Sequence, residues 1–186
     1  MKQHILTLLF LICTLDMVCG QQDWTYFQPK DQSFELSVPC NLSAGEKKIL
    51  TDVGEMHPVT WACSGTEDDP NYLYMVSYVD YPTGTLQADS VELMKTLLDE
   101  SMDALLKDIH ASLDYKADSP YGHHSGIIFR AMIDKNKVVV KCRMLIVGDR
   151  FYAIQVYTPM EKSLNDDINR YLNSFRLKEK NQKVIR

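Results

Sequence analysis

His123 and His124 stand side by side in Gly122-His-His-Ser-Gly126. Imidazole titrates near neutral pH and ligates divalent metals, so this pair is the first candidate for acid–base or metal chemistry. A metal site needs third and fourth ligands at defined spacing, and no other His or Cys lies near the pair in sequence. Ser125 falls one position away from the Gly-x-Ser-x-Gly pattern of a nucleophile elbow. The segment therefore reads as a polar loop of turn formers leading into a strand at Ile127. The enzymatic alternative is a small envelope enzyme or ligand-binding protein with a dispersed site near His123 and His124, joined by Asp80 from elsewhere in the chain.

Other chemistry-bearing residues give weaker signals. Glu67-Asp-Asp69 offers carboxylate oxygens but lacks the alternating spacing and distal bidentate Glu of a calcium loop, so a solvated turn is expected. Tyr72, Tyr74 and Tyr78 recur with strand parity on one face. Such a row packs well on a pleated surface; it is also the best candidate for an aromatic binding platform. Asn41-Leu-Ser43 is a glycosylation sequon, meaningful only in a eukaryotic secretory pathway. The chain holds no Gly-rich phosphate loop, no His-Glu-x-x-His and no Cys-x-x-Cys. No catalytic residue, metal ligand or cofactor is named by these patterns, and they favour a protein that is not an enzyme.

The first twenty residues carry an address. Lys2 supplies a basic start, Ile5 to Val18 is an apolar run, and Val18-Cys-Gly20 offers compact residues ahead of Gln21. This is the layout of a secretory signal peptide, too short for a membrane span. Lipidation at Cys19 is the less favoured alternative, because Asp16-Met-Val18 lacks the small residue expected before a lipidated cysteine. Lys2 and Asp16 leave together on cleavage, so the net charge stays at −5. A mildly acidic, mixed surface argues against nucleic acid, whose binding rests on clustered Lys and Arg. No later apolar run is long enough to cross a membrane. The expected organisation is a signal peptide over 1–20, one domain over 21–177 and a polar tail over 178–186.

The elements that must hold these residues follow from periodicity. Ser33 to Val38 alternates as a strand stopped by Pro39, and 46–53 and 59–63 read as short strands. Tyr72 to Tyr81 is a strong strand. Asp89, with Glu92 as reciprocal partner, is placed to cap a helix whose apolar face is Met94, Leu97, Leu98, Met102, Leu105 and Ile109. Strands follow over 127–133, 138–147 and 151–157, joined by loops short enough to make them antiparallel. A last helix is expected from Ser163, with Leu164, Ile168, Tyr171, Leu172 and Phe175 as its stripe. Cys142 shares a strand face with Val138, Val140, Met144 and Ile146 and reads as a buried thiol, which leaves Cys40 and Cys63 as the pair for a disulfide. The fold class is α+β, an antiparallel sheet of about six strands with two main helices.

Phe34-Glu-Leu-Ser-Val-Pro39, Tyr74-Met-Val-Ser-Tyr-Val-Asp-Tyr-Pro82, Gly148-Asp-Arg-Phe-Tyr-Ala-Ile-Gln-Val156 and Tyr171-Leu-Asn-Ser-Phe-Arg-Leu177, in that order around a long helix, resemble the PsbP-like fold. That group includes the photosystem II extrinsic protein PsbP, the nuclear import factor Mog and exported DcrB-type domains. The resemblance spans roughly residues 27–177 and implies a sheet sandwiched by helices in a protein that binds other proteins or assists assembly. It transfers no functional residue. The expectation is an exported, periplasmic or extracellular, non-catalytic accessory or protein-interaction domain whose partner is another protein. Mass spectrometry of the exported protein should find a chain beginning at Gln21; a diacylglycerol on Cys19 would establish the lipidated alternative instead.

Overall fold

The computed structural model describes residues 23–46, 49–51, 54–86, 90–135 and 137–178; the expected signal peptide and most of the polar tail lie outside them. The described elements are β1 (Thr25–Phe27), β2 (Phe34–Val38), β3 (Ser43–Glu46), β4 (Ile49–Thr51), β5 (Gly54–Met56), β6 (Val59–Ser64), β7 (Leu73–Asp80), α1 (Val91–Asp108), β8 (Ser112–Asp118), β9 (Gly126–Ile133), β10 (Val138–Val147), β11 (Arg150–Pro159), α2 (Asp166–Ser174) and β12 (Arg176–Leu177). The main sheet runs β3-β6-β7-β11-β10-β9-β8, antiparallel throughout. A smaller sheet, β1-β2-β12, lies apart from it, and β4-β5 is a separate hairpin. The α+β class follows, with seven strands in the main sheet against the about six expected.

The central strands are apolar on both faces, so each face must be covered. Val140, Cys142, Met144 and Ile146 of β10 pack with Met94, Leu98, Met102 and Leu106 of α1. On the other face Leu145, Tyr152, Ile154 and Val156 meet Ile168, Tyr171 and Leu172 of α2 and Phe34, Leu36 and Val38 of β2. Phe175, just past α2, stacks on Phe34 at 5.3 Å between ring centroids and meets the edge of Tyr152 at 5.4 Å. The small sheet is thus a lid of backbone and aromatic rings over one half of the main sheet.

Chain reversals are local. Val147 pairs with Arg150, leaving Gly148-Asp149 as a two-residue turn, with Gly148 at φ 58°. Its left-handed conformation matches the twist of the flanking strands and suits glycine. Asp134 and Lys135 adopt φ of 48° and 53° between β9 and β10, a conformation that Asp tolerates better than most.

Several features differ from the sequence reading. The segment 46–53, expected as one strand, is divided between the end of β3 at Glu46 and β4 (Ile49–Thr51). The cap of α1 is Ser90, whose Oγ accepts the Leu93 N–H at 3.3 Å; Asp89 lies outside the described residues. Asn165 caps α2 by accepting the Ile168 N–H at 3.1 Å, so Ser163 and Leu164 precede the helix and Leu164 is 93% exposed. An Asx cap fixes the first turn three residues before its bonded N–H, which overrides the apolar periodicity that included Leu164. Finally, β8 was not anticipated. Every one of its residues is exposed, and among the described strands it pairs only with β9, through a bulge between Leu113 and Tyr115. Bulged, charged edges of this kind resist pairing with other chains.

Cys40 and Cys63 are disulfide-bonded with their Cα atoms 6.1 Å apart, joining the end of β2 to β6, and Cys142 is a free buried thiol. Burial pushes the Cys142 thiol well above its ordinary value, which makes it inert. Leu172→Ala or Phe175→Ala should each lower unfolding free energy by about 2–5 kcal/mol in denaturant melts, since both side chains are fully buried. Reducing the bridge, which spans a sequence separation of 23, should remove about 3 kcal/mol by the loop-entropy argument, read as a lower denaturation midpoint.

Candidate functional site

The site is built where β7 and β11 end together, with Arg150 opposite Asp80 in the ladder. The Arg150 guanidinium is held on three sides. Its Nε and one terminal nitrogen donate to the two oxygens of Asp80, the latter at 2.7 Å. Its other terminal nitrogen donates to Asp31 Oδ2 at 2.6 Å, and its face lies 3.8 Å from the Tyr78 ring centroid. A planar fork satisfied by two carboxylates and stacked on a ring suits Arg and no other cation. Burial would lower the Arg150 pKa, but the hydrogen bonds to Asp80 and Asp31 hold it raised. Burial would likewise raise Asp31, yet the bonds from Arg150 and Ser33 keep its carboxyl below the usual range.

The neighbouring turn residue, Asp149, reaches the other way. Its carboxylate accepts the Gly84 N–H at 3.1 Å and the Leu86 N–H at 3.3 Å, pinning the loop after β7. Opposite it, Tyr121 and His124 exchange backbone hydrogen bonds of 3.0 Å across a tight turn in which Gly122 has φ 59°. This turn rests on the sheet because residue 126 is glycine. A Cβ there would lie 2.5 Å from Leu145 Cδ2 and 2.6 Å from the Ser119 carbonyl oxygen. The His123 and His124 rings lie 3.9 Å apart. Burial, then the neighbouring His123, lowers the His124 pKa. Arg143 lies over Tyr121 at 5.9 Å.

Between these parts lies an open cleft of about 600 Å³. Asp80, Asp149 and Arg150 line one side, the Tyr121–His124 turn another, and Ser33, Tyr152 and Lys178 complete it. His123, His124 and Asp80, far apart in sequence, therefore border one space. Lys178 pairs with Glu35 at 2.5 Å. Among the described residues no group of three or more His, Cys, Asp or Glu is arranged to hold a metal, and no helix is long and apolar enough to cross a membrane.

The tyrosine row does not form a platform. Tyr74 is 0% exposed and packs against Tyr171 at 5.1 Å, because α2 covers that face of β7. Tyr78 is half-buried beneath Arg150, and Tyr72 precedes β7, 57% exposed. The acidic run also departs from a fully solvated turn: Glu67 and Asp68 are exposed, but Asp69 is buried. Asp69 Oδ1 accepts the Asn71 N–H and the Tyr74 hydroxyl, both at 2.8 Å. Gly65 permits this fold-back, since a Cβ there would meet the Asn71 carbonyl oxygen at 2.0 Å.

Arg150, Asp31, Tyr121 and Lys178 were missed as site residues. The Arg150–Asp31 bond spans 119 positions, beyond any local motif; the only signal was the Gly148-Asp-Arg150 turn itself.

No family model matches the sequence, and no curated protein matches it. Among solved structures the solution structure of cyanobacterial PsbP from Synechocystis sp. PCC 6803 superposes with a TM-score of 0.55 at 10% identity, covering 87% of this chain and 96% of that one. A Pseudomonas aeruginosa protein of unknown function superposes with a TM-score of only 0.38 at 9% identity, over 78% and 90% of the two chains. The first likeness shows a PsbP-like fold; at that identity it shows the fold alone.

In an NMR titration His124 should protonate with a midpoint below the ordinary value of about 6.5, and His123→Asn should move that midpoint up by removing the neighbouring positive charge. As pH falls through this range the unfolded imidazole protonates first, so the His124 contribution to stability is full above that ordinary value and declines below it.

Proposed function

We propose, from a PsbP-like fold as premise, that this chain is an exported accessory module that acts by binding another protein and not by catalysis. The observation that carries this reading is that the charged groups around the cleft are already matched within the fold. Arg150 is held by Asp31 and Asp80, Asp149 by backbone N–H groups, and Lys178 by Glu35. Catalytic sites instead keep a nucleophile or base free and orient it with a third group. Neither imidazole is hydrogen-bonded to a carboxylate among the described residues. A concave surface with aromatic walls and fixed internal charges suits recognition. Export rests on the pattern of the first twenty residues.

A second reading has one observation in its favour: His124 is biased toward its neutral form inside a cleft of ligand size, as a general base would be. The double substitution His123→Ala with His124→Ala separates the two. On the binding reading, a partner captured by the wild-type chain from native envelope or culture fluid should be lost with this variant while circular dichroism and melting are unchanged. Turnover of an ester, phosphate or glycoside substrate by the wild type, abolished in the variant, would overturn it.

A further inference from the structure

We infer that the face of β9 and β10 beside α2 docks an acidic segment of the partner protein; this rests on the binding reading above and carries its contact beyond the cleft. Strand register gathers the cations. Lys141 lies opposite Arg130, and Arg143 follows two positions along β10, so all three project from one face. It is the face that α2 covers further along, because Lys141 and Arg143 stand opposite Val156 and Ile154, which pack in the core with α2. Among the described residues the three have one ion-pair partner, Asp114, held by Arg130. Asp118 pairs instead with Lys95 of α1, on the opposite face. Asp166 of α2 is exposed and forms no ion pair with them. Adding β12 makes the place more positive: Arg176 stands opposite Glu35 in the ladder, and Lys178 binds the same carboxylate. A basic face thus stands on a chain of net charge −5.

These cations are incompletely matched within the fold. Among the described residues Arg143 makes one hydrogen bond, from a terminal nitrogen to the Pro120 carbonyl at 3.4 Å, and its Nε has no partner. Arg130 spends its terminal nitrogens on Asp114, Ser163 and the Met160 sulfur, and its Nε is likewise unpartnered. Lys141 has three N–H donors and gives one bond, to Asn169 at 3.2 Å. Like charges directly opposite in a ladder are destabilising. Burial, then the charge of Arg130, holds the Lys141 ammonium below its ordinary value. Burial lowers Arg143 as well, with Tyr121 opposing and Arg176 adding to the effect. A carboxylate entering here would relieve that repulsion and form charge-assisted hydrogen bonds.

The shape of the face favours a narrow chain over a broad anionic surface. A helix with its side chains is about 10 Å across, so α2 stands above the neighbouring sheet. The Arg130 side chain is only 17% exposed. A flat layer of lipid headgroups would meet α2 first, whereas an extended peptide carrying Asp or Glu can lie beside it. Tyr115, opposite Arg130 on β8 and 41% exposed, offers that peptide an apolar edge. The planar fork of Arg143 matches a carboxylate bidentately. Tyr121 links this face to the cleft, since it lines the cleft and also carries Arg143 over its ring. One partner can therefore occupy both.

The test titrates the mature chain, labelled with nitrogen-15, with hexaglutamate, hexalysine, and vesicles of phosphatidylcholine and phosphatidylglycerol in equal parts. Hexaglutamate should shift the amides of Tyr115, Ile128, Arg130, Lys141 and Arg143, and its affinity should fall as salt rises. Lys141→Gln and Arg143→Gln should each weaken it by about fivefold, the upper range for one exposed ion pair. Arg143→Lys should recover only part of the loss, because a point charge lacks the planar fork. Lys95→Gln, on the α1 side of the sheet, should leave affinity unchanged. If one of the two glutamine substitutions disturbs amides far from this face, the other gives the same comparison. Hexalysine shifting the same amides, hexaglutamate shifts scattered over the surface, or an affinity unmoved by both substitutions would overturn the assignment while leaving the binding reading intact. Vesicle binding without a response to hexaglutamate would overturn it in favour of a membrane surface. Failure of the binding reading shows separately, as a wild-type chain that captures no partner from native envelope or culture fluid.

Discussion

β10 and β11 present buried side chains on both sides of the sheet, Cys142 and Met144 toward α1 and Leu145, Ile154 and Val156 toward α2 and β2. Apolar surface on both faces has to be removed from water on both faces, and the rest of the chain is arranged to meet that requirement. α1 covers one face, with Leu86 of the preceding loop beside it, because its Met94, Leu98, Met102 and Leu106 recur at helical spacing along one stripe. The other face takes a short helix together with a strand contributed from near the start of the domain and another from near its end. The two termini of the domain are therefore structural partners, joined where β12 pairs with β2.

This arrangement also explains where the cleft lies. Ser33, just ahead of β2, and Leu177 and Lys178, at the end of β12, line the cleft, and Arg150 stands beside them. Its bonds to Asp80 on β7 and to Asp31 just ahead of β2 tie the small layer to the main sheet. Such a partly buried triad differs from an exposed surface pair, because removing Arg150 would leave Asp31 and Asp80 without the cation they share.

Much of this was legible in the residues. The span 138–147 was read with its full bounds because β-branched alternation and two flanking turns agree, and the PsbP-like order followed from the spacing of four segments. Whether a tyrosine faces solvent or core was not legible. Parity puts Tyr74 and Tyr78 on one face, but only the remote α2 decides that this face is covered. β8 carries the alternation of a strand in Leu113, Tyr115 and Ala117, yet its exposure gives no apolar contrast for periodicity to detect. The start of α2 was misread because a single asparagine side chain decides it. The histidines and Asp80 were visible as residues, whereas their common cleft depends on pairing across distant strands.

The burial of Cys142 bears on the order in which the chain becomes oxidised. Three thiols among the described residues allow three alternative bridges, and two of these would require Cys142. The strands around it, β9 to β11, are joined by tight local turns whose closure costs little entropy. Once that meander docks on α1, Cys142 is enclosed and its thiolate suppressed, and thiol exchange needs both a thiolate and access. Local folding thereby acts as a protecting group: it withdraws Cys142 from the reaction and, among the described cysteines, leaves Cys40 and Cys63 with each other.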